Sequence, residues 1–207
     1  KLTELYAEDM DVEYYETTAH AGARPSHAEW QGRVFKIHGS SPDYPNFVDS
    51  TGYGSGSGLC GWNCRHSFYP YWPGISSPAY SKERLAEYDR AKYSYNGDML
   101  TDYECSQIQR AYEREIREIK RILSSYDAAM QESRSEAQIQ CIQEDFTSES
   151  VKLKKKEREL KNFCNDTNRS YDSARTQVVA YKDSEGRIVN FGRSTAQKAV
   201  WANKKSN

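Results

Sequence analysis

The chain has 207 residues, 37% hydrophobic and 13% aromatic, with a formal net charge of −1 and a mean hydropathy of −0.95. That length suits one ordinary domain, or one compact domain with an appendage. The aromatic content argues against disorder, and the charge excludes a uniformly basic nucleic-acid binder. No run approaches the ~18 consecutive apolar residues of a membrane span, and no signal peptide or lipidation motif is seen, so no membrane partner is expected. The chain starts at Lys1 without a methionine and reads as a piece of something longer. Charge is uneven: residues 1–80 carry 5 basic and 9 acidic side chains, 81–146 carry 10 and 14, and 147–207 carry 14 and 7. The last stretch is either a nucleic-acid contact or a solvated helix face. Five cysteines at irregular spacing suit a reducing compartment better than a disulfide scaffold.

In chain order, residues 1–10 are polar, with Leu2, Leu5 and Tyr6 at helical spacing, and read as the end of a helix. Val12 to Thr18, short and rich in Tyr and Thr, has the composition of a strand. Pro25 to Gln31 suits one or two helical turns, with proline first and Gly32 as the stop. Arg33 to Ile37 alternates as a strand does. His38 to Ser77 reads as one long loop holding four of the six prolines and seven of the twelve glycines. A loop of that length inside a compact domain is functional or held by something, and its many aromatic residues imply packing.

Beyond Pro78 the texture turns helical. Lys82 to Tyr93 is a short amphipathic candidate. Thr101-Asp-Tyr-Glu104 is a capping box, each side chain satisfying a free N–H of the first turn. Cys105, Ile108, Tyr112, Ile116, Ile119, Leu123, Tyr126 and Met130 then form one apolar stripe, with Glu113–Arg117 and Glu118–Arg121 pairs on the wet side. A second helical region, Glu136 to Cys164, is expected to break near Phe146-Thr147, where Thr147 or Ser148 caps a new helix. Val151, Leu153, Leu160, Phe163 and Cys164 face its core, giving an antiparallel helical hairpin. Gln177 to Tyr181 and Ile188 to Phe191 flank the turn-like Asp183-Ser-Glu-Gly186, and Ser194 is placed to cap a last helix, Thr195 to Asn203. The fold class is α+β. Residues 1–80 form a small α/β head with a long packed loop. Residues 81–207 form a helical hairpin arm, then a C-terminal β-hairpin and helix packing back on the core.

Two clusters carry the chemistry. One is His20-Ala-Gly-Ala-Arg24-Pro-Ser-His27-Ala-Glu-Trp30-Gln-Gly32. The other runs from Gly52 through Gly58, Cys60, Trp62, Asn63, Cys64, Arg65 and His66 to Pro70. Together they hold three of the four histidines. Cys60-x3-Cys64-x-His66 with His27 could supply four N/S ligands to a structural zinc, which prefers thiolate and imidazole. The alternative is that the two cysteines are small buried apolar residues and the histidines hydrogen-bonded packing elements; a nucleophilic Cys–His pair is a third reading. The Gly52–Gly58 run lacks the lysine and the strand–turn–helix context of a phosphate loop, and reads as a tight passage of backbone past another segment. Arg24, Arg65, His20 and His66 could line an anion site, with Glu29 or Asp49 as a base. Lys152, Lys154, Lys155, Lys156 and Lys198 are the candidate nucleic-acid contacts.

The two clusters resemble the phage minor capsid protein 2 family, akin to the Mu F-like head-morphogenesis proteins. Their looser signature, Arg-x-x-His-x-x-x-x-Gly followed by Asn-Cys-Arg, falls here on Arg24, His27, Gly32, Asn63, Cys64 and Arg65. Weaker similarity continues through Tyr103–Gln107, Glu113-Arg114, Ser150–Leu153, Phe163-Cys164, Arg175–Val178 and Ala196–Lys204, so that it spans about residues 12 to 205. The resemblance implies a structural minor head protein of a tailed phage or prophage, inside the capsid or in the host cytoplasm before assembly. It implies portal or other head proteins, and packaged DNA, as partners, oligomer formation, and no catalytic residues to carry over. The chain looks like the C-terminal part of such a protein. Two other functions remain open. One is an enzyme or effector, nuclease or ADP-ribosyltransferase-like, using His20, His27, Arg65 and His66, which requires a solvent-open pocket at the motifs. The other is a nucleic-acid-binding module using the basic C-terminal region.

Overall fold

The structure, a computed structural model, describes residues 2–178, 181–182, 188–189 and 192–205. It divides into two compact units, Lys1–Tyr93 with Met99–Glu104, and Ser94–Asp98 with Cys105–Asn207.

The first unit is built on a three-stranded antiparallel sheet. Strand β1 (Tyr14–Thr17) lies between β2 (Val34–Lys36) and β3 (Phe68–Tyr71). Tyr15 stands opposite Phe35 on one side and Pro70 on the other. Pro70 donates no N–H, which an edge strand such as β3 tolerates. Helix α1 (Leu2–Asp9) contributes Ala7 to the core, while Leu5 and Tyr6 are exposed. Ala7, Val12, Tyr15, Trp30, Phe35, Phe47, Leu59 and Phe68 form one buried cluster, with Tyr15, Phe47 and Phe68 in tilted or edge-to-face contact. The stretch expected to be one loop, His38 to Ser77, contains helix α3 (Phe47–Thr51) and strand β3. Helix α3 is capped by Asn46 Oδ1, which accepts from Asp49 N at 2.9 Å. Both elements are too short to show a period in sequence. Helices α2 (Pro25–Ala28) and α4 (Lys82–Asp89) complete this part of the chain.

A two-stranded pairing of β4 (Tyr93–Tyr95) and β5 (Asp98–Leu100) takes the place of the last residue of the expected helix, Lys82 to Tyr93, and the segment after it. Its two-residue turn is Asn96-Gly97, both at positive φ (52° and 93°), the backbone such hairpin turns require.

The second unit is a helical hairpin. Helix α5 (Asp102–Glu132) begins at the capping box: Thr101 N donates to Glu104 Oε2 at 2.8 Å and Glu104 N to Thr101 Oγ1 at 3.2 Å. Helix α6 (Glu136–Asp166) returns against it, as the Lys156–Glu115 (2.9 Å) and Lys120–Glu157 (3.2 Å) ion pairs show. Helix α6 is unbroken. Thr147 turns its hydroxyl back onto the carbonyl of Gln143 (2.8 Å) instead of capping a new start, and Ser150 does the same onto Phe146 (2.7 Å). The N-cap is Ser135. Val151, expected inside, is exposed.

More than half of the buried face of α5 is polar: Gln109, Glu113, Lys120, Ser124 and Asp127 are buried beside Cys105, Ile116 and Leu123. Segment 169–176 supplies partners. Arg169 Nε donates to Gln109 Oε1 (2.9 Å), Arg175 Nε pairs with Glu113 (3.1 Å), and Lys120 Nζ donates to Thr176 O (3.2 Å). Glu113 therefore pairs with Arg175 rather than with Arg117 one helical turn away. The C-terminal strands β6 (Tyr181–Lys182) and β7 (Ile188–Val189) pair antiparallel, while the turn Asp183–Gly186 lies outside the described residues. Helix α7 (Arg193–Lys205) starts ahead of Ser194, which sits within it instead of capping it. It is held by Thr195 Oγ1 on Asp127 Oδ2 (2.7 Å), Lys198 on Asp127, and Asn203 Nδ2 on Ser150 O (2.9 Å). No helix of the described residues is long and apolar enough to cross a membrane.

Asp127→Ala strands the buried Thr195 hydroxyl. It is expected to lower unfolding free energy by about 1–3 kcal/mol in urea titrations, with α7 becoming the first segment to exchange its amide hydrogens.

Candidate functional site

Helix α2 positions the first half of the site. Pro25 takes the first helical position, where its missing N–H costs nothing. The turn then carries His27 inward, 2% exposed, and Gln31 one turn further on, also 2% exposed. The His27 ring lies 4.6 Å from that of Trp30.

The second half is carried by the glycine-rich loop. Gly52 ends α3 in the left-handed conformation, φ 64°. The chain then doubles back: Leu59 N donates to Thr51 O at 3.0 Å, and Trp62 N to Gly56 O at 2.7 Å. A Cβ on Gly58 would stand 2.0 Å from Gly52 O, and one on Gly61 would stand 2.5 Å from Gly56 O. The expected tight passage is thus two backbone crossings that no side chain permits. Cys60 and Asn63 both sit at positive φ, 59° and 55°. Asparagine adopts that conformation readily; cysteine does so at a cost that the surrounding loop must offset. Arg24 Nη2 donates to Trp62 O at 2.6 Å and ties the loop to α2.

Three side chains from these segments converge. Cys64 Sγ lies 3.7 Å from His27 Nδ1 and 3.6 Å from His66 Nδ1, and the three atoms all lie within 4.8 Å of one another. The outer ring nitrogens are held separately: His27 Nε2 is 3.0 Å from Ser57 O, and His66 Nε2 is 3.1 Å from Gln31 Oε1. Both partners are oxygens that only accept, so each Nε2 carries the proton and each Nδ1 turns a bare lone pair toward the sulfur. Burial lowers the pKa of His27, and burial followed by the neighbouring His20 and His27 takes His66 down to about 3. Both rings are therefore neutral near pH 7.

Cys60 stays outside this set. The residue is exposed overall, but its Sγ is partly buried, 3.7 Å from His66 O, and that burial raises its thiol pKa. The four-residue grouping of His27, Cys60, Cys64 and His66 is thus reduced to three in the structure. All five cysteines are free thiols. His20 stacks on His66 with ring centroids 4.3 Å apart. Its Nδ1 donates to Ala21 O at 2.9 Å, and its buried Nε2 has no hydrogen-bond partner among the described residues. Arg65 reaches His20 Nδ1 at 3.4 Å, a nitrogen already donating, so the guanidinium there is a charged neighbour rather than a donor. Gly32, at φ 64°, lies where a Cβ would meet Leu85 Cδ2 at 2.8 Å. Trp30 is buried, whereas Trp62 is 77% exposed.

Gln31 and Ser57 escaped the sequence reading. Gln31 had a usable signal, lying one helical turn after His27; Ser57 acts through its carbonyl, which any residue could supply. A cavity of about 1180 Å³ lies elsewhere in the first unit, lined by Glu4, Glu8, Asp11, Tyr15 and Tyr53 among others. There Tyr53 donates to Glu4 at 2.9 Å, and burial with that bond raises its pKa to about 12.

In the second unit, Lys152, Lys155 and Lys156 have carboxylates at 2.6 Å (Glu149), 3.9 Å (Glu159) and 2.9 Å (Glu115), and Lys198 pairs with Asp127. Lys154 is exposed on α6.

The chain matches the family described as Phage minor capsid protein 2 over residues 1–165. It is 36% identical over 108 residues to a structural protein of Lactococcus phage LL-H, covering 50% of this chain and 26% of that protein. It is 37% identical over 80 residues to a structural protein of Lactococcus phage mv4, covering 39% of this chain and 55% of that protein. The chain therefore spans about a quarter and about half of the lengths of these relatives. No solved structure matches it.

Two outcomes test this geometry. Gly58→Ala forces a methyl group onto the Gly52 carbonyl and is expected to cost about 1–3 kcal/mol or more, read as a lowered melting temperature. The depressed pKa of His27 and His66 favours the folded state above the unfolded histidine value, near 6.5. Stability is therefore expected to be flat above that pH and to fall as pH drops from about 6.5 toward 3, followed by chemical denaturation across a pH series. A stability that rises on acidification would contradict the neutral, buried assignment.

Proposed function

Because the chain belongs to the phage minor capsid protein 2 family, we propose that this structural protein of a phage head acts during head assembly, near the portal, by binding other head proteins. The observation that carries this reading is the continuous family match from residue 1 to 165, which takes in the first unit, α5 and nearly all of α6. Both curated relatives are named structural proteins. The geometry of the His/Cys cluster fits this role better than catalysis. His27 and His66 are 2% and 5% exposed, their outer nitrogens are engaged, and their rings pack against Trp30. An enzyme using His20, His27, Arg65 and His66 would need those groups open to substrate.

DNA contact is the weaker part of the reading. Four of the five candidate lysines already face carboxylates of the chain, and such charges displace few counterions from DNA.

In assembling heads, cross-linking mass spectrometry is expected to join this chain to the portal. Cross-links confined to the major head protein would keep the assembly role and overturn the portal position. A phage lacking the chain that still produced normal numbers of filled, infectious heads would overturn the role itself. Electrophoretic titration with duplex DNA is expected to show weak binding that vanishes between about 50 and 200 mM salt. Tight binding abolished by Lys154→Glu with Lys155→Glu would reverse the ranking of DNA among the partners.

A further inference from the structure

The arrangement around Cys64 contains an unresolved hydrogen-bonding conflict. Cys64 Sγ faces His27 Nδ1 at 3.7 Å and His66 Nδ1 at 3.6 Å. Ser57 O and Gln31 Oε1 hold the ring protons on the opposite nitrogens. A thiol has one proton, so it can satisfy one of these two lone pairs and leaves the other facing sulfur without a donor. Both rings are buried, where an unpaired acceptor is costly. A bound cation resolves the conflict, because it accepts from all three donors at once.

We propose that His27 Nδ1, Cys64 Sγ and His66 Nδ1 bind a divalent transition metal of borderline softness, Zn²⁺ above all, as three protein ligands of a four-coordinate site. The two N···S spacings fit, and the two imidazole nitrogens, within 4.8 Å of each other, close on the ion as it binds. With Zn–S of about 2.3 Å and Zn–N of about 2.05 Å at a tetrahedral angle, the N···S separation is about 3.6 Å, against the 3.6 and 3.7 Å found here. The Ser57 carbonyl and the Gln31 amide serve as the outer hydrogen-bond partners that orient metal-bound imidazoles in protein sites. On binding, the Cys64 thiol gives up its proton to solvent and the thiolate coordinates the ion. The ion then joins α2 to residues 64 and 66, closing a loop of more than thirty residues that glycine-rich backbone alone would hold weakly. Cys60 is not a ligand.

The test uses the full chain. Elemental analysis after purification without chelator is expected to find about one zinc per chain. Chelator-stripped protein titrated with Co²⁺ is expected to develop thiolate-to-cobalt charge-transfer absorption together with intense visible bands of a four-coordinate site. Cys64→Ser is expected to abolish the charge-transfer absorption, and Cys60→Ser to preserve it. Should Cys64→Ser fail to fold, the cobalt spectrum of Cys60→Ser decides, since thiolate absorption retained there cannot come from Cys60. Substoichiometric zinc with no cobalt spectrum, or loss of the metal in Cys60→Ser, would overturn the three-ligand assignment. Neither result touches the head-assembly role, which rests on separate observations.

Discussion

A carbonyl and an α-carbon set the limits of the first unit. Gly52 O lies so close to Gly58 that a methyl group there would overlap it at 2.0 Å. That crossing lets residues 52–61 fold into a compact knot, from which Leu59 enters the core, 1% exposed. It also returns the chain toward α2, so that Cys64 and His66 reach His27, 37 and 39 positions earlier. A bulkier residue at position 58 would open the knot, withdraw Leu59 from the aromatic cluster and separate the three donors. Packing and site geometry therefore share one backbone constraint.

The second unit solves a different problem. A helix of 31 residues with a wholly apolar inner face would pack against any apolar partner. Here the inner face alternates apolar layers at Cys105, Ile116 and Leu123 with polar ones at Gln109, Glu113, Lys120 and Asp127. Each polar layer meets a particular partner: Arg169 and Ser170 O, Arg175, Thr176 O with Glu157, and Thr195 with Lys198. Buried polar groups tolerate few alternatives, because each mismatch leaves a donor or acceptor unpaired. The ladder thereby specifies where segment 169–176 and helix α7 lie along the hairpin.

Much of this was legible along the chain. The capping box at Thr101, the length of α5, proline opening α2 and the close backbone approach in the glycine run appear as expected, but of the expected α5 stripe only Cys105, Ile116 and Leu123 are buried. These features depend on residues within a turn or two of one another. The failures are also physical. The β4–β5 hairpin carries the Asn96-Gly97 turn signal, but its strands are three residues each, too short to show alternation. The expected break rested on Thr147 or Ser148 capping a new start, and in the folded helix the Thr147 hydroxyl bonds to the carbonyl four residues back. Glu113 looked like a surface partner of Arg117, yet it is buried because residue 175 returns across α5.

By itself, the sequence determined helix α5 with its capping box, the glycine requirement and the two rare-residue clusters that carry the family signature, since each is written in local spacing. Only the tertiary structure decided which clustered residues meet. Cys60 and Cys64 are equally good zinc ligands on paper. Cys60 occupies a left-handed position on the exposed side of the loop, with its sulfur near His66 O, whereas Cys64 falls between two imidazoles. Likewise, Lys156 and Lys198 find their carboxylates on helix α5, a distant part of the chain. Convergence of this kind is set by where the backbone returns, and the return is a property of the packed core rather than of any local run of residues.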